Sequence, residues 1–354
     1  MSRYVAYVGS YTYIGKSKGI TILDVDTDRN TLIKREEIEA ANASYVMASA
    51  DGKILYSITD EGVISFQILP DGGLKRMNTA KIRGMRGRFM DIDPSGKFIA
   101  VGGYHDGKTT VLKLREDGSV GRITDGVYNQ GMGSIAERDS QPHVSCVRFT
   151  PDGKYLCSID LGLDYIKIFR VDYETGKLSV AHILHCNMQS APHQMVFSKD
   201  GRFLYVICQM SNSVNVYSYE DEGHYPKFQL LQSLPTVGKR SLSSSMTKAL
   251  HLDITPDDRH LLYSSAGDNC IGMYDRDPET GLLTHRFSLP ISGRFPKDFF
   301  LMPDGEHICS VNYEEGTLTF FSLNYQRGLI VMNAAPVKVD QPNCGVIVAL
   351  EDEA

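Results

Sequence analysis

The apolar positions of this chain fall in short alternating runs, and the runs come in sets. "YVMASADGKILYSITDEGVISFQI", "RFMDIDPSGKFIAVGGYHDGKTTVLKL", "HVSCVRFTPDGKYLCSIDLGLDYIKIFRV", "QMVFSKDGRFLYVICQMSNSVNVYSY", "HLDITPDDRHLLYSSAGDNCIGMYDRD" and "DFFLMPDGEHICSVNYEEGTLTFFSL" share one plan: an alternating run, a turn, a second run, a loop and a third run. Alternation with period 2 places successive side chains on opposite faces of a strand, and Val, Ile, Phe and Tyr suit a pleated, buried surface. The turns open at Asp51, Ser95, Asp152, Asp200, Asp257 and Asp304, at intervals of 44, 57, 48, 57 and 47 residues. Asp-Gly and its variants supply the positive φ that tight hairpins require. Most units add a second turn and a fourth strand, as in "YETGKLSVAHILH" and "PETGLLTHRFSLP".

Four-stranded antiparallel meanders recurring at about 45 to 50 residues predict a β-propeller. Six units are whole and the seventh is split. "YVAYVGSYT", "GITILDVD" and "LIKREEIEA" supply three strands near the start, and "QPNCGVIVAL" near the end supplies the missing first one. Pairing the N- and C-terminal strands in one blade closes the ring and removes an open edge. The expectation is an all-β fold: a single seven-bladed propeller domain over residues 1–354. The absence of Trp excludes the Trp-Asp type of repeat, and no window carries a helical period.

Composition narrows the partners. A net charge of −6 argues against nucleic acid or an anionic membrane, and no segment has the roughly 20 apolar residues of a membrane span. The seven cysteines form no CxxC pair and sit mostly in apolar runs, which fits small core residues. The reading is a cytoplasmic protein with no cofactor, no metal, no nucleic-acid partner and no membrane partner.

In a propeller the entrances to the first strands share one face with the loops joining second to third strands, so polar residues far apart in sequence meet at one funnel. A small anionic molecule is the expected ligand there. His143 and His193, each after a Pro, are placed at equivalent points of blades four and five; with His251 they are the candidate catalytic groups, because imidazole titrates near neutrality. Arg86, Arg88, Arg138, Arg294 and Lys297 would give the funnel a positive patch suited to carboxylate or phosphate. Asp160 and Asp164 could orient an imidazole or cap their own turn, and Gln209 stands at the exit of a second strand. Two connections, 121–141 and 235–250, are long enough to act as lids. P-loop, serine-hydrolase elbow and zinc-protease signatures are absent.

The stretches "SQPHVSCVRFTPDGKYLCSIDLGLDYIKIFRVD", "SAPHQMVFSKDGRFLYVICQMSNSVNVY" and "KALHLDITPDDRHLLYSSAGDNCIGMYDRDPETG" resemble the lactonase family of seven-bladed propellers, which includes a bacterial 6-phosphogluconolactonase and the fungal carboxy-cis,cis-muconate cyclase. The resemblance implies site roles for Pro142-His143, for Asp160, Leu161, Gly162 and Asp164, and for His251. Where the family reads Gly-Pro-Arg-His this chain has Ala191-Pro192-His193-Gln194; where it reads Asn-Glu-Leu the chain has Cys208-Gln209-Met210; and Ala266 stands where it has an Arg. Gln cannot ionise and Ala cannot grip an anion. Three readings follow: a lactone hydrolase with a diverged site, a cyclase-type isomerase, or a propeller that binds a small anion or a protein without turnover.

Overall fold

The computed structural model describes residues 3–26, 28–133, 141–223, 225–236 and 247–350. Arg138, with the rest of 134–140 in the first predicted lid and 237–246 in the second, lies outside these residues. Seven antiparallel sheets surround a central channel. In chain order, the first strands of blades two to seven are Tyr45–Ala48, Phe89–Ile92, Val144–Phe149, Pro192–Phe197, Lys248–Ile254 and Pro296–Leu301. Blade one takes its first strand, Pro342–Leu350, from the far end of the sequence; it pairs with Arg3–Ser10, followed by Gly19–Asp26 and Thr31–Glu39. The split blade is as expected. One expectation changes: Val120–Tyr128, read as the start of a long loop, is the fourth strand of blade three. Its alternation is polar because an outermost strand buries only one flank.

Burial follows strand order. The second strands Ile54–Thr59, Tyr155–Asp160 and Phe203–Cys208 are buried at every position, whereas the fourth strand Lys177–His185 alternates exposed and half-buried residues. Second strands lie between two strands of their own sheet and two neighbouring blades, so they read as continuous apolar runs. Blades are stitched by tyrosines that reach into the next blade's outer hairpin: the hydroxyls of Tyr7, Tyr56 and Tyr205 donate to the carbonyls of Gly72, Gly118 and Gly281 at 2.8, 2.7 and 2.8 Å. At Gly72 φ is 81°, and a Cβ would meet Val5 at 2.7 Å, so glycine answers both the turn and the close approach. The cysteines are free, and six of the seven are buried.

The hairpins joining first to second strands sit on the face opposite the funnel and satisfy themselves. Ser49, Thr150, Ser198 and Thr255 bond Asp51, Asp152, Asp200 and Asp257 at 2.5, 2.5, 2.6 and 2.5 Å. The same Asp oxygens accept the N–H groups of Lys53, Lys154, Arg202 and Arg259, each at 3.1 Å. Asp here replaces the backbone of a turn with its own side chain.

Candidate active site in the channel

One extra residue enters the first strand of five blades. The register slips at Ser145, His193, Leu250, Lys297 and Asn343, each left without a partner on the second strand. In blades two and three Ser44 and Arg88 hold the same place, their N–H groups donated to the carbonyls of Ile58 and Gly102. A bulge re-aims a side chain. The five bulges and the two equivalent positions turn one residue per blade into the channel: Ser44, Arg88, Ser145, His193, Leu250, Lys297 and Asn343 line its inner chamber, of about 40 Å³. Tyr45, Phe89, Gln194, His251, Asp298 and Cys344, each one residue further on, complete that lining. Above lies an outer chamber of about 240 Å³, walled by Tyr11, Arg86, Tyr104, His105, Gln209, Phe295 and Tyr313 and floored by Arg88, His193 and Lys297.

The bonding fixes which groups can do chemistry. His193 Nδ1 is 2.6 Å from the Leu250 carbonyl, which only accepts, so that nitrogen carries the proton. Its Nε2 is 2.6 Å from the Arg88 guanidinium, which only donates, so Nε2 is the lone pair. His193 is therefore neutral, its pKa held well below the usual range by burial and then by Arg88. It positions Arg88 and has no lone pair left for a water. Arg88 makes no ion pair with a carboxylate among the described residues and lies 5.6 Å from the Tyr104 ring centre.

His251 contrasts with it. Its Nδ1 is 2.7 Å from Asp298 Oδ1, while Nε2 is buried and has no hydrogen-bond partner among the described residues. Asp298 is itself held by the N–H groups of Phe299 and Gly345 at 2.9 and 3.1 Å. The arrangement is a carboxylate-oriented imidazole with its outer nitrogen orphaned beside a chamber large enough for water. Lys297 Nζ sits between two aromatic faces, 4.9 Å from the Tyr11 ring centre and 4.7 Å from that of Tyr313. Burial, then Arg88, lowers its pKa to about 7. Arg86 is paired with Asp60 at 2.8 Å and lies 5.0 Å from Tyr11.

The other expected residues lie elsewhere. His143 and His193 are not equivalent: Val144 faces Asp160 where Pro192 faces Cys208, so the bulge equivalent to His193 is Ser145 and His143 comes two residues earlier. His143 lines neither chamber; it stacks on Tyr104 at 4.5 Å and donates Nδ1–H to the Tyr104 carbonyl at 2.7 Å. Asp160 accepts the N–H groups of His143 and Leu163 and the Asn129 amide, and burial raises its pKa. Asp164 accepts from Gln189, Ala191 and Ser190. Both carboxylates build their loops. Arg294 is exposed and lines neither chamber. The wall that sequence reading passed over is aromatic. Tyr11, Tyr104 and Tyr313 each directly follow the second strand of their blade, the place Gln209 holds in blade five. That shared offset was the available signal.

A family model described as "Lactonase, 7-bladed beta-propeller" matches residues 5–347. The chain is 27% identical over 351 residues to a 6-phosphogluconolactonase of Bacillus subtilis, covering 97% of this chain and 98% of that one. Among solved structures, a Lactobacillus plantarum protein superposes with a TM-score of 0.88 at 26% identity, over 99% of this chain and 100% of the other. The Pseudomonas aeruginosa periplasmic gluconolactonase superposes at 0.91 with 24% identity, over 99% and 100%, which shows the shared fold.

Proposed function

Because this chain belongs to the lactonase family of seven-bladed β-propellers, we propose that it hydrolyses a lactone bearing an anionic group, held at the junction of the two chambers. Ring opening needs a base to take a proton from attacking water and a cation to hold the oxyanion that forms at the carbonyl. His251 is the base in this reading. Asp298 holds its Nδ1–H and stabilises the imidazolium that results. The water oxygen bonds to the carbonyl carbon, and the carbonyl π pair moves to oxygen beside Arg88 and Lys297. Collapse of the tetrahedral adduct expels the ring oxygen, which takes the proton back from His251. Arg88 and Lys297 are the cations that can face a substrate oxygen, since neither is neutralised by a carboxylate within ion-pair distance among the described residues.

The carrying observation is the ring of channel-facing first-strand positions, which brings Arg88 and Lys297 into the same inner chamber as the His251–Asp298 pair. The name of the Bacillus relative suggests a phosphorylated sugar lactone. Gln209, in place of an ionisable residue, leaves proton transfer to His251. A pH-stat assay of 6-phosphogluconolactone, gluconolactone and unsubstituted lactones on wild type and His251→Ala tests this. Turnover of an anionic lactone that falls by about 10²-fold or more in the variant is expected. No turnover above background, or an unchanged rate in His251→Ala, overturns it.

A further inference from the structure

The hydrolytic reading uses Lys297 only as a charge, yet its surroundings suit a different task. The bulge at Pro296/Asp298 tips Lys297 into the channel, where it belongs to the lining of both chambers. Its ammonium faces the rings of Tyr11 and Tyr313, and among the described residues it makes no ion pair. The charged and titratable groups that act on it are Arg88 and Arg86 from blade three, Asp298 on its own strand and Cys344 on the closing strand. Asp298 is engaged with His251 and the Gly345 N–H, and Cys344 Sγ accepts the Val46 N–H at 3.2 Å. Burial, and after it Arg88, therefore prevails over these two acids, and the amine is held near pH 7 rather than 10.5. An amine kept dry beside another cation is a nucleophile, because the unprotonated form carries the lone pair.

We propose that Lys297 is a covalent capture site, forming an imine with small carboxylate-bearing aldehydes and 2-oxo acids whose carboxylate is held by Arg88. The Nζ lone pair adds to the carbonyl carbon, and the oxygen takes up a proton to give a carbinolamine. Loss of that hydroxyl as water, with departure of the remaining N–H proton, leaves the C=N bond. One amine and one carbonyl give one imine and one water, with no change of oxidation state. A chamber of about 240 Å³ admits a molecule of a few heavy atoms. Arg88, with His193 fixing its plane, offers two N–H groups to a carboxylate. This capture does not depend on lactone turnover, and the two are read separately.

The test treats the whole chain with glyoxylate and then cyanoborohydride, which reduces any imine to a stable amine, and maps the adduct by peptide mass spectrometry. Lys297 is expected to label at least about tenfold faster than any other lysine at pH 7, since a far larger share of it is neutral. Lys297→Arg keeps a cation and loses the adduct. Arg88→Ala slows labelling by glyoxylate but not by acetaldehyde, which lacks the carboxylate. Labelling spread evenly over surface lysines, or an acetaldehyde rate equal to that of glyoxylate in wild type, overturns the proposal. Mapping on wild type alone decides it if a variant fails to fold.

Discussion

Each blade's first strand has two ends, and their polar groups live under different rules. At the hairpin end, Asp51, Asp152, Asp200 and Asp257 find partners within two residues, a hydroxyl and an N–H, and leave nothing wanting. At the funnel end, partners come from other blades or are missing. His193 binds Arg88 from 105 residues away, His251 binds Asp298 from the next blade, and His251 Nε2 binds nothing among the described residues. Groups of the first kind hold the fold. An orphaned buried nitrogen and unneutralised cations cost stability and are what a ligand can satisfy.

Substitutions at the two ends should separate activity from stability. The largest effect is expected from His251→Ala or Asp298→Asn, a loss of roughly 10²–10⁴ in kcat with the lactone panel, the usual worth of a positioned base. Arg88→Ala should weaken an anionic substrate by about 10- to 100-fold, read as KM, because a charge-assisted hydrogen bond is worth about 1.5–3 kcal/mol. At the hairpin end Asp200→Ala should leave kcat unchanged and lower stability in urea by about 1 kcal/mol. A fully active but destabilised His251→Ala together with an inactive but stable Asp200→Ala would reverse the division.

Two smaller effects appear in pH scans. Asp200 has its carboxyl lowered from 3.8 to about 2 in the folded protein by bonds to Ser198 and Arg202 that outweigh burial. Its contribution is present above pH 3.8 and lost as pH falls toward 2, so Asp200→Asn should flatten that limb of an unfolding curve. About a third of the side chain is exposed, and salt should shrink the effect. Lys297 runs the other way. Its folded pKa is depressed, so the charged form opposes folding fully below about pH 7 and less as pH rises toward 10.5. Lys297→Met should raise the unfolding temperature at pH 7, with the difference closing above pH 10.5 by differential scanning calorimetry.

The same division explains what the amino-acid sequence discloses. Asp-Gly hairpins and the split blade are legible because their signals are local and recur, and Asp160 and Asp164 cap turns for the same local reason. The channel is harder, because a bulge shifts register without changing composition. The dipeptides Pro142-His143 and Pro192-His193 look alike, yet nine residues separate His143 from Asp152 and seven separate His193 from Asp200. Counting back from the turn therefore sorts them. The same count separates Arg294 from Lys297: Lys297 stands seven positions before Asp304, as His193 does before Asp200, and Arg294 stands ten before it, so the bulge falls at Lys297 and Arg294 stays outside. The aromatic wall was missed since Tyr11, Tyr104 and Tyr313 are unremarkable singly and meaningful only once three blades are superposed.

The strand Pro342–Leu350 has a consequence for how the molecule comes into being. Arg3–Ser10 leaves the ribosome well before its neighbour, which is encoded some three hundred codons later. Until then the nascent arc carries a naked strand edge, open to association with other chains. That late strand also brings Asn343, whose amide donates to the Ser44 carbonyl, and Cys344 in the inner chamber. The cavity is therefore incomplete until Pro342–Leu350 has been made, and a chain that stops short of it keeps its naked edge and gains nothing from a ligand by folding early.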